Sequence, residues 1–180
     1  MNLHLDWATH KAALFACENW HYSETIPKCK TVKIGVWEDD KYIGVVIFSM
    51  GATPKLVAPY GLEMIEGCEL TRIALTAHKA PVSRIMAIAL KKLKKFCPGL
   101  RMVVSFADPS EGHYGGIYQA TNWVFDGTTA TSFSYKHIKT GKKYHSRNVG
   151  KTKRIGVCIH PDMCTKIANP GKFRYLMPLD

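Results

Sequence analysis

Residues 68–107 place a strand, a helix and a second strand in direct succession, and this order limits the possible folds more than any other stretch. CELTRIALT (68–76) reads as the first strand. In PVSRIMAIALKKLKKFC (81–97), Val82, Ile85, Met86, Ala89, Leu90, Leu93 and Cys97 recur at helical spacing, while Lys91, Lys92, Lys94 and Lys95 fall on the wet side. Pro81 suits the first helical position, where its missing N–H has no partner to lose. RMVVSFA (101–107) reads as the next strand. A helix flanked this closely by strands packs on a sheet, so the chain is an α/β protein.

The remaining segments extend that sheet. A helix is predicted over 6–19, capped by Asp6, with Trp7, Ala8, Leu14, Phe15 and Cys17 on its apolar face. The loop 20–29 closes at Pro27. Strands over 31–37 and 42–50 form a hairpin about the turn 38–41. A Gly- and Pro-rich loop covers 51–61. A short helix runs from about Gly115 to Thr121, followed by the strand WVFDG. Segments 129–138 and 142–149 pair around Thr140 and Gly141, and the last twenty residues, with Pro161, Pro170 and Pro178, read as irregular. One domain over 1–180 is expected, with a basic segment at 135–154 and an irregular tail at 155–180.

With 180 residues, 46% of them hydrophobic, the chain can bury a real core. No apolar run is long enough to span a membrane, and the N-terminus lacks a secretory pattern, so a cytoplasmic protein is expected. The six cysteines form no CxxC and read as free thiols. Cys158, His160 and Cys164 lack an evident fourth ligand and a usual zinc spacing, so no structural metal is expected there.

Charge points to a partner. Lys and Arg number 25 against 14 Asp and Glu, a net +11, which implies an anionic ligand, usually nucleic acid. The segment YKHIKTGKKYHSRNVGKTKR (135–154) carries Lys136, Lys139, Lys142, Lys143, Arg147, Lys151, Lys153 and Arg154, no acid, and the interleaved Tyr135 and Tyr144. Phosphate contacts from such a stretch are salt-sensitive and sequence-tolerant. A solvated basic hairpin is the plainer alternative.

Two places can carry chemistry. The N–H groups at the start of the helix at 81, with Lys79 and Arg84 beside them, suit a pyrophosphate, although an ordinary strand–helix connection reads the same way. Asp108 ends the strand 101–107, and ligands collect at such strand ends. A carboxylate there can accept a proton from an attacking amine, or simply cap the Asp-Pro turn. Arg72 alternates with Leu70 and Ala74, so it is expected on their face, paired with Asp108 or with a DNA phosphate.

Strand, phosphate loop, helix, strand, and a helix ending in IYQATNW (117–123) together resemble the GNAT acyltransferases. The resemblance implies a mixed sheet flanked by helices, with Tyr118 near the sulfur of coenzyme A and Trp123 locking the helix to the next strand. The loop AHKAPV departs from the family's R/Q-x-x-G-x-G/A pattern. A closer resemblance is to the Mom family of phage DNA-modification proteins, carried by WHYS (20–23), ELTRIAL (69–75), PVSRI (81–85), SFADP (105–109) and GHYGGIYQATNW (112–123). It implies conversion of adenine in double-stranded DNA to an N6-carbamoylmethyl-type base that shields phage DNA from restriction, inside the host cytoplasm. The catalytic residues implied are Asp108, Tyr22, His21, Arg72, Ser105 and Tyr118. An acetyl-CoA donor would lie along Ile73, Leu75, Ser83, Arg84 and Tyr118. His21, Tyr22 and Asp108 offer an N/O set for iron. His113 reads as a helix-start residue, with Glu111 its cap neighbour.

The N6 amine of adenine is a weak nucleophile hidden in the duplex, so the base must flip into a pocket where rings can stack on it. Tyr22, Tyr118 and Trp20 are candidates, Trp20 being more often a core residue. Two rival functions remain open: an N-acetyltransferase acting on a protein or small amine, and a DNA-binding protein without catalysis. The first leaves the basic segment unexplained, and the second leaves the grouping of Asp108, Tyr22 and Arg72 unexplained.

Overall fold

The computed structural model describes residues 2–150 and 158–179. In chain order the elements are β1 (Leu3–Trp7), α1 (His10–Trp20), β2 (Thr31–Glu38), β3 (Lys41–Ser49), β4 (Gly67–Leu75), α2 (Val82–Phe96) and β5 (Met102–Ala107). There follow α3 (Gly116–Gln119), β6 (Val124–Thr128), β7 (Ser132–His137), β8 (Lys143–His145), β9 (Cys164–Asn169) and β10 (Phe173–Pro178). A seven-stranded sheet has the order β1-β2-β3-β4-β5-β10-β6, and a three-stranded sheet has the order β8-β7-β9. The larger sheet is mixed, because β4 and β5 run parallel while the other pairs are antiparallel. The fold is therefore the α/β sheet flanked by helices that the strand–helix–strand unit implies.

The helices cover the two faces. Ile85, Met86, Ala89 and Leu93 of α2 are fully buried against Ile34, Val36, Phe48 and Val103. Each such side chain contributes about 1.5–3 kcal/mol on leaving water. On the other face, Ala13, Ala16 and Cys17 of α1 pack on Val45, Ile47 and Ala74. The small residues of α1 let it lie close to the sheet. No described helix is long and apolar enough to cross a membrane.

Three expectations are corrected. The first helix begins at His10, not at residue 6, because Thr9 caps it, accepting from the Ala12 N–H at 3.2 Å. Asp6 belongs to β1 instead and pairs with Lys92 at 2.6 Å. The C-terminal stretch is not irregular: β9 joins the small sheet, and β10 inserts between β5 and β6 in the large one. Its partners lie far away in sequence, so no local pattern announces them. Trp20 packs with the α1 cluster and meets Tyr42 at 6.1 Å between ring centroids, the core placement that is the favoured of its two readings.

The third correction bears on the site. The register pairs Ile47 with Arg72 but Phe48 with Leu70, so Thr71 is an extra residue, a β-bulge. Its hydroxyl donates to the Ile47 carbonyl at 3.1 Å. The bulge flips the alternation: Leu70 faces α2, whereas Ala74, and with it Arg72, faces α1. Immediately beyond, the β4–β5 ladder stops at Leu70 and Ser105, although the strands continue to Leu75 and Ala107.

Candidate functional site

Where β4 and β5 part, a cavity of about 290 Å³ opens, walled by His21 and Tyr22 from the loop after α1, Arg72 and Ile73 from β4, and His113 and Tyr118. A parting of this kind exposes backbone that neighbouring strands would otherwise pair, which is where a ligand can bind between strands.

His21 is held by its own loop. The Ser23 N–H donates to His21 Nδ1 at 3.1 Å, so Nδ1 is an acceptor and the ring proton of the neutral imidazole resides on Nε2. Burial first, then the Coulombic effects of Arg72 and His113, lower the His21 pKa from 6.5 to about 4. The ring stacks on Tyr22 at 4.3 Å, and Tyr22 in turn lies 5.5 Å from His113. Tyr22 is half exposed, and its phenol is pushed up mainly by burial.

Tyr118 sits at the base of the cavity. Ser105 has one hydroxyl proton and donates it to the Leu70 carbonyl at 2.8 Å, which leaves its oxygen to accept from the Tyr118 phenol, also at 2.8 Å. Burial raises the Tyr118 phenol to about 12, so it is neutral and protonated at ordinary pH. Asn122 adopts a left-handed conformation, φ 61°, which turns the chain so that Trp123 meets Tyr118 edge-on at 5.1 Å. Tyr175 of β10 stacks on Tyr118 from the other side at 4.8 Å.

Asp108 and Arg72 do not meet in an ion pair among the described residues. Arg72 donates to the Thr25 carbonyl at 3.2 Å and to the Thr71 carbonyl at 2.7 Å, which holds the loop after α1 against β4. Asp108 pairs with Lys172 at 2.8 Å and accepts from Ser110 through its other oxygen. Burial pushes its carboxyl up, but Lys172 and Ser110 outweigh it and hold the group below the usual carboxylate range. Asp108 is thus an engaged anion that caps the 109–111 turn, while Gly112 and His113 just beyond line the cavity.

The other predicted positions lie apart. Leu75 packs against the α2-side core. Ser83 and Arg84 line a second cavity of about 510 Å³ between the start of α2 and residues 120–122. The amides of Lys79 and Ala80 in the turn before α2 both donate to the Glu38 carboxylate. Lys136 lies on β7 and Lys143 on β8 directly opposite it, with Lys139 and Lys142 between them. Lys142 hovers 5.9 Å from the Tyr144 ring, and Arg147 falls in the short turn after β8. Lys151, Lys153 and Arg154 lie outside the described residues.

The iron set does not fit. His21 Nδ1 accepts from Ser23, and both Asp108 oxygens are engaged. Among the described residues no three of His, Cys, Asp and Glu gather as a metal site.

Four further residues emerge from the structure: Lys172, Tyr175 and His113 at or beside this cavity, and Glu38 at the turn before α2. For Lys172 and Tyr175 no sequence signal exists, because the strand carrying Tyr175 finds its place only in the sheet. His113 stands in the GHYGG stretch, where the double glycine marks irregular backbone around a ligand-sized space. Glu38 reads as part of a hairpin turn.

A model of the Mom protein family matches residues 2–180. The methylcarbamoylase mom of Escherichia phage Mu is 29% identical over 140 residues, which cover 76% of this chain and 57% of that protein. The chain thus spans little more than half the length of that curated relative. Among solved structures, an N-acetyltransferase from Staphylococcus aureus Mu50 aligns with a TM-score of 0.57 at 14% identity over 100% of both chains. An aminoglycoside 6'-acetyltransferase type Ii aligns at 0.55 and 8% identity, covering 100% of this chain and 98% of that one. A Bacillus subtilis acetyltransferase in complex with CoA aligns at 0.53 and 13% identity over 99% of each. At these identities the structural likeness is one of fold.

Proposed function

Because the chain belongs to the Mom protein family, we propose that it transfers an acyl group to the N6 amine of adenine in double-stranded DNA, the new N6–C bond replacing the donor's C–S bond and the thiol leaving. The observation that carries this reading is the cavity at the β4–β5 split, with the Tyr22 and His113 rings on one wall and the protonated Tyr118 phenol at its base. A flipped adenine stacks on such rings. A coenzyme A thioester supplies an activated acyl carbon when bound, and the CoA complex of a fold neighbour supports a donor of that class here.

Roles follow from the geometry. Tyr118, kept neutral by burial, would turn its O–H from Ser105 Oγ to supply a proton to the departing sulfur. His113 stands on the wall to take the proton that the amine loses. His21, Tyr22 and Arg72 shape the acceptor side, and Ser105 orients Tyr118. The bound carboxylate of Asp108 is a weak base, so its part is to fix Lys172 and the rim at 109–112. The lysines of β7, β8 and their turn hold duplex phosphates. Lys136 and Lys143 face each other across the strands, and Lys143 also reaches Glu111 at 3.7 Å. The product would protect phage DNA in the host cytoplasm.

An acetyltransferase acting on a protein or small amine is the second reading, favoured by the fold neighbours. Mass spectrometry of nucleosides from DNA of cells expressing this chain separates the two. A new adenosine species, whose mass identifies the added group, is expected. Unmodified DNA beside an acetylated protein or amine overturns the first reading in favour of the second.

A further inference from the structure

The turn between β4 and α2 is the place where a strand–helix unit of this kind would offer its backbone N–H groups to a phosphate. Here those groups have another partner. The Lys79 N–H lies 3.2 and 2.9 Å from the two Glu38 carboxylate oxygens, and the Ala80 N–H donates at 2.7 Å. Glu38 is only 9% exposed. It ends β2, on the face covered by α2, and the hairpin through Asp39 and Asp40, both at positive φ, folds back without moving it away from the turn.

We infer that Glu38 is the resident anion of this turn and closes its Lys79 and Ala80 amides to a donor's phosphates. The reason is electrostatic and steric at once: a phosphate there would have to displace a buried carboxylate, or sit beside it with like charge. Donor phosphates are then read one turn further on, by the exposed Arg84 and by Ser83 at the mouth of the second cavity. Arg84 has no carboxylate partner among the described residues. The assignment to a donor rests on the coenzyme A reading above; the assignment of Glu38 itself does not.

Three measurements test it. Glu38→Ala is expected to melt about 4–10 °C below the wild type, because it leaves the buried Ala80 amide and the part-buried Lys79 amide without an acceptor. Sodium formate should restore part of that loss in a saturable way in Glu38→Ala while leaving the wild type unchanged. Equal melting of the two proteins, or an equal response to formate, overturns the proposal. If Glu38→Ala does not fold, the wild type decides alone: in amide spectra, inorganic pyrophosphate should leave the Lys79 and Ala80 resonances in place, and their movement overturns the proposal. Coenzyme A should move the amides of Ser83 and Arg84, and Arg84→Ala should weaken its binding about tenfold. If coenzyme A moves nothing, the donor reading and the Arg84 role fall together, while the formate and pyrophosphate results still decide the role of Glu38.

Discussion

The Tyr118 phenol lies 2.8 Å from Ser105 Oγ, at the last rung before β4 and β5 part. Since Ser105 spends its own proton on the Leu70 carbonyl, the phenol donates to Ser105 and must turn from it to reach a leaving sulfur. Tyr118→Phe removes the group at the cavity base that can protonate a leaving sulfur. We expect at least a hundredfold loss of transferred group. Ser105→Ala should cost about 1–3 kcal/mol of stability, because the buried phenol loses its acceptor, and a smaller part of the activity. Nucleoside mass spectrometry and chemical denaturation of both variants check this; full transfer by Tyr118→Phe would take Tyr118 out of the reaction.

His21 makes stability depend on pH in a definite sense. Its folded pKa, about 4, lies below the unfolded value of 6.5, so the unfolded chain binds the proton more readily. The stabilisation is complete above pH 6.5 and is lost as pH falls towards 4. Given its partial exposure, the amount is on the order of 2–3 kcal/mol. Urea titrations between pH 4 and 7.5 should show a shallower decline for His21→Gln than for the wild type. Parallel curves would show that His21 is as easily protonated folded as unfolded.

Asp108 and Lys172 act as a pair. Asp108→Asn and Lys172→Met should each lower stability by about 1 kcal/mol, since Lys172 is half exposed and the pair partly screened. Each should also reduce transfer, because the 109–112 rim loosens. The double variant should do little more damage than either single one. Additive losses would mean that the two residues serve separate purposes.

The small sheet predicts a salt signature. Lys142, Lys143 and Arg147 replaced together by Ala should weaken binding to all duplex sequences about equally and flatten the salt slope by roughly one unit for each phosphate no longer neutralised. Lys143 also pairs with Glu111 at 3.7 Å, an exposed ion pair that contributes under about 1 kcal/mol, so the fold should persist. Wild-type affinity and slope in the triple variant would move the DNA track elsewhere, to Lys91, Lys92, Lys94 and Lys95 on α2.

Residues 81–97 could be read as a helix from sequence because seven apolar side chains at helical spacing have one efficient way to leave water, and α2 buries Ile85, Met86, Ala89, Leu90 and Leu93 accordingly. The hairpin of β2 and β3 was equally legible, its strands being apolar and its turn polar. Tyr118 and Trp123 could be placed side by side because both belong to one local turn. Tertiary structure alone decided the rest. The bulge at Thr71, which puts Arg72 on the α1 side of the sheet and precedes the parting of the strands, shows only in the register against β3. Tyr175 reaches Tyr118 because β10 enters the sheet beside β5, and that choice is made by hydrogen bonds to strands distant in sequence. Glu38 reads as a turn residue, yet its carboxylate is spent on amides 41 and 42 positions away. Local periodicity records which face of an element is buried; it carries no information about which distant polar group will satisfy a buried one, and that is settled only when the chain closes on itself.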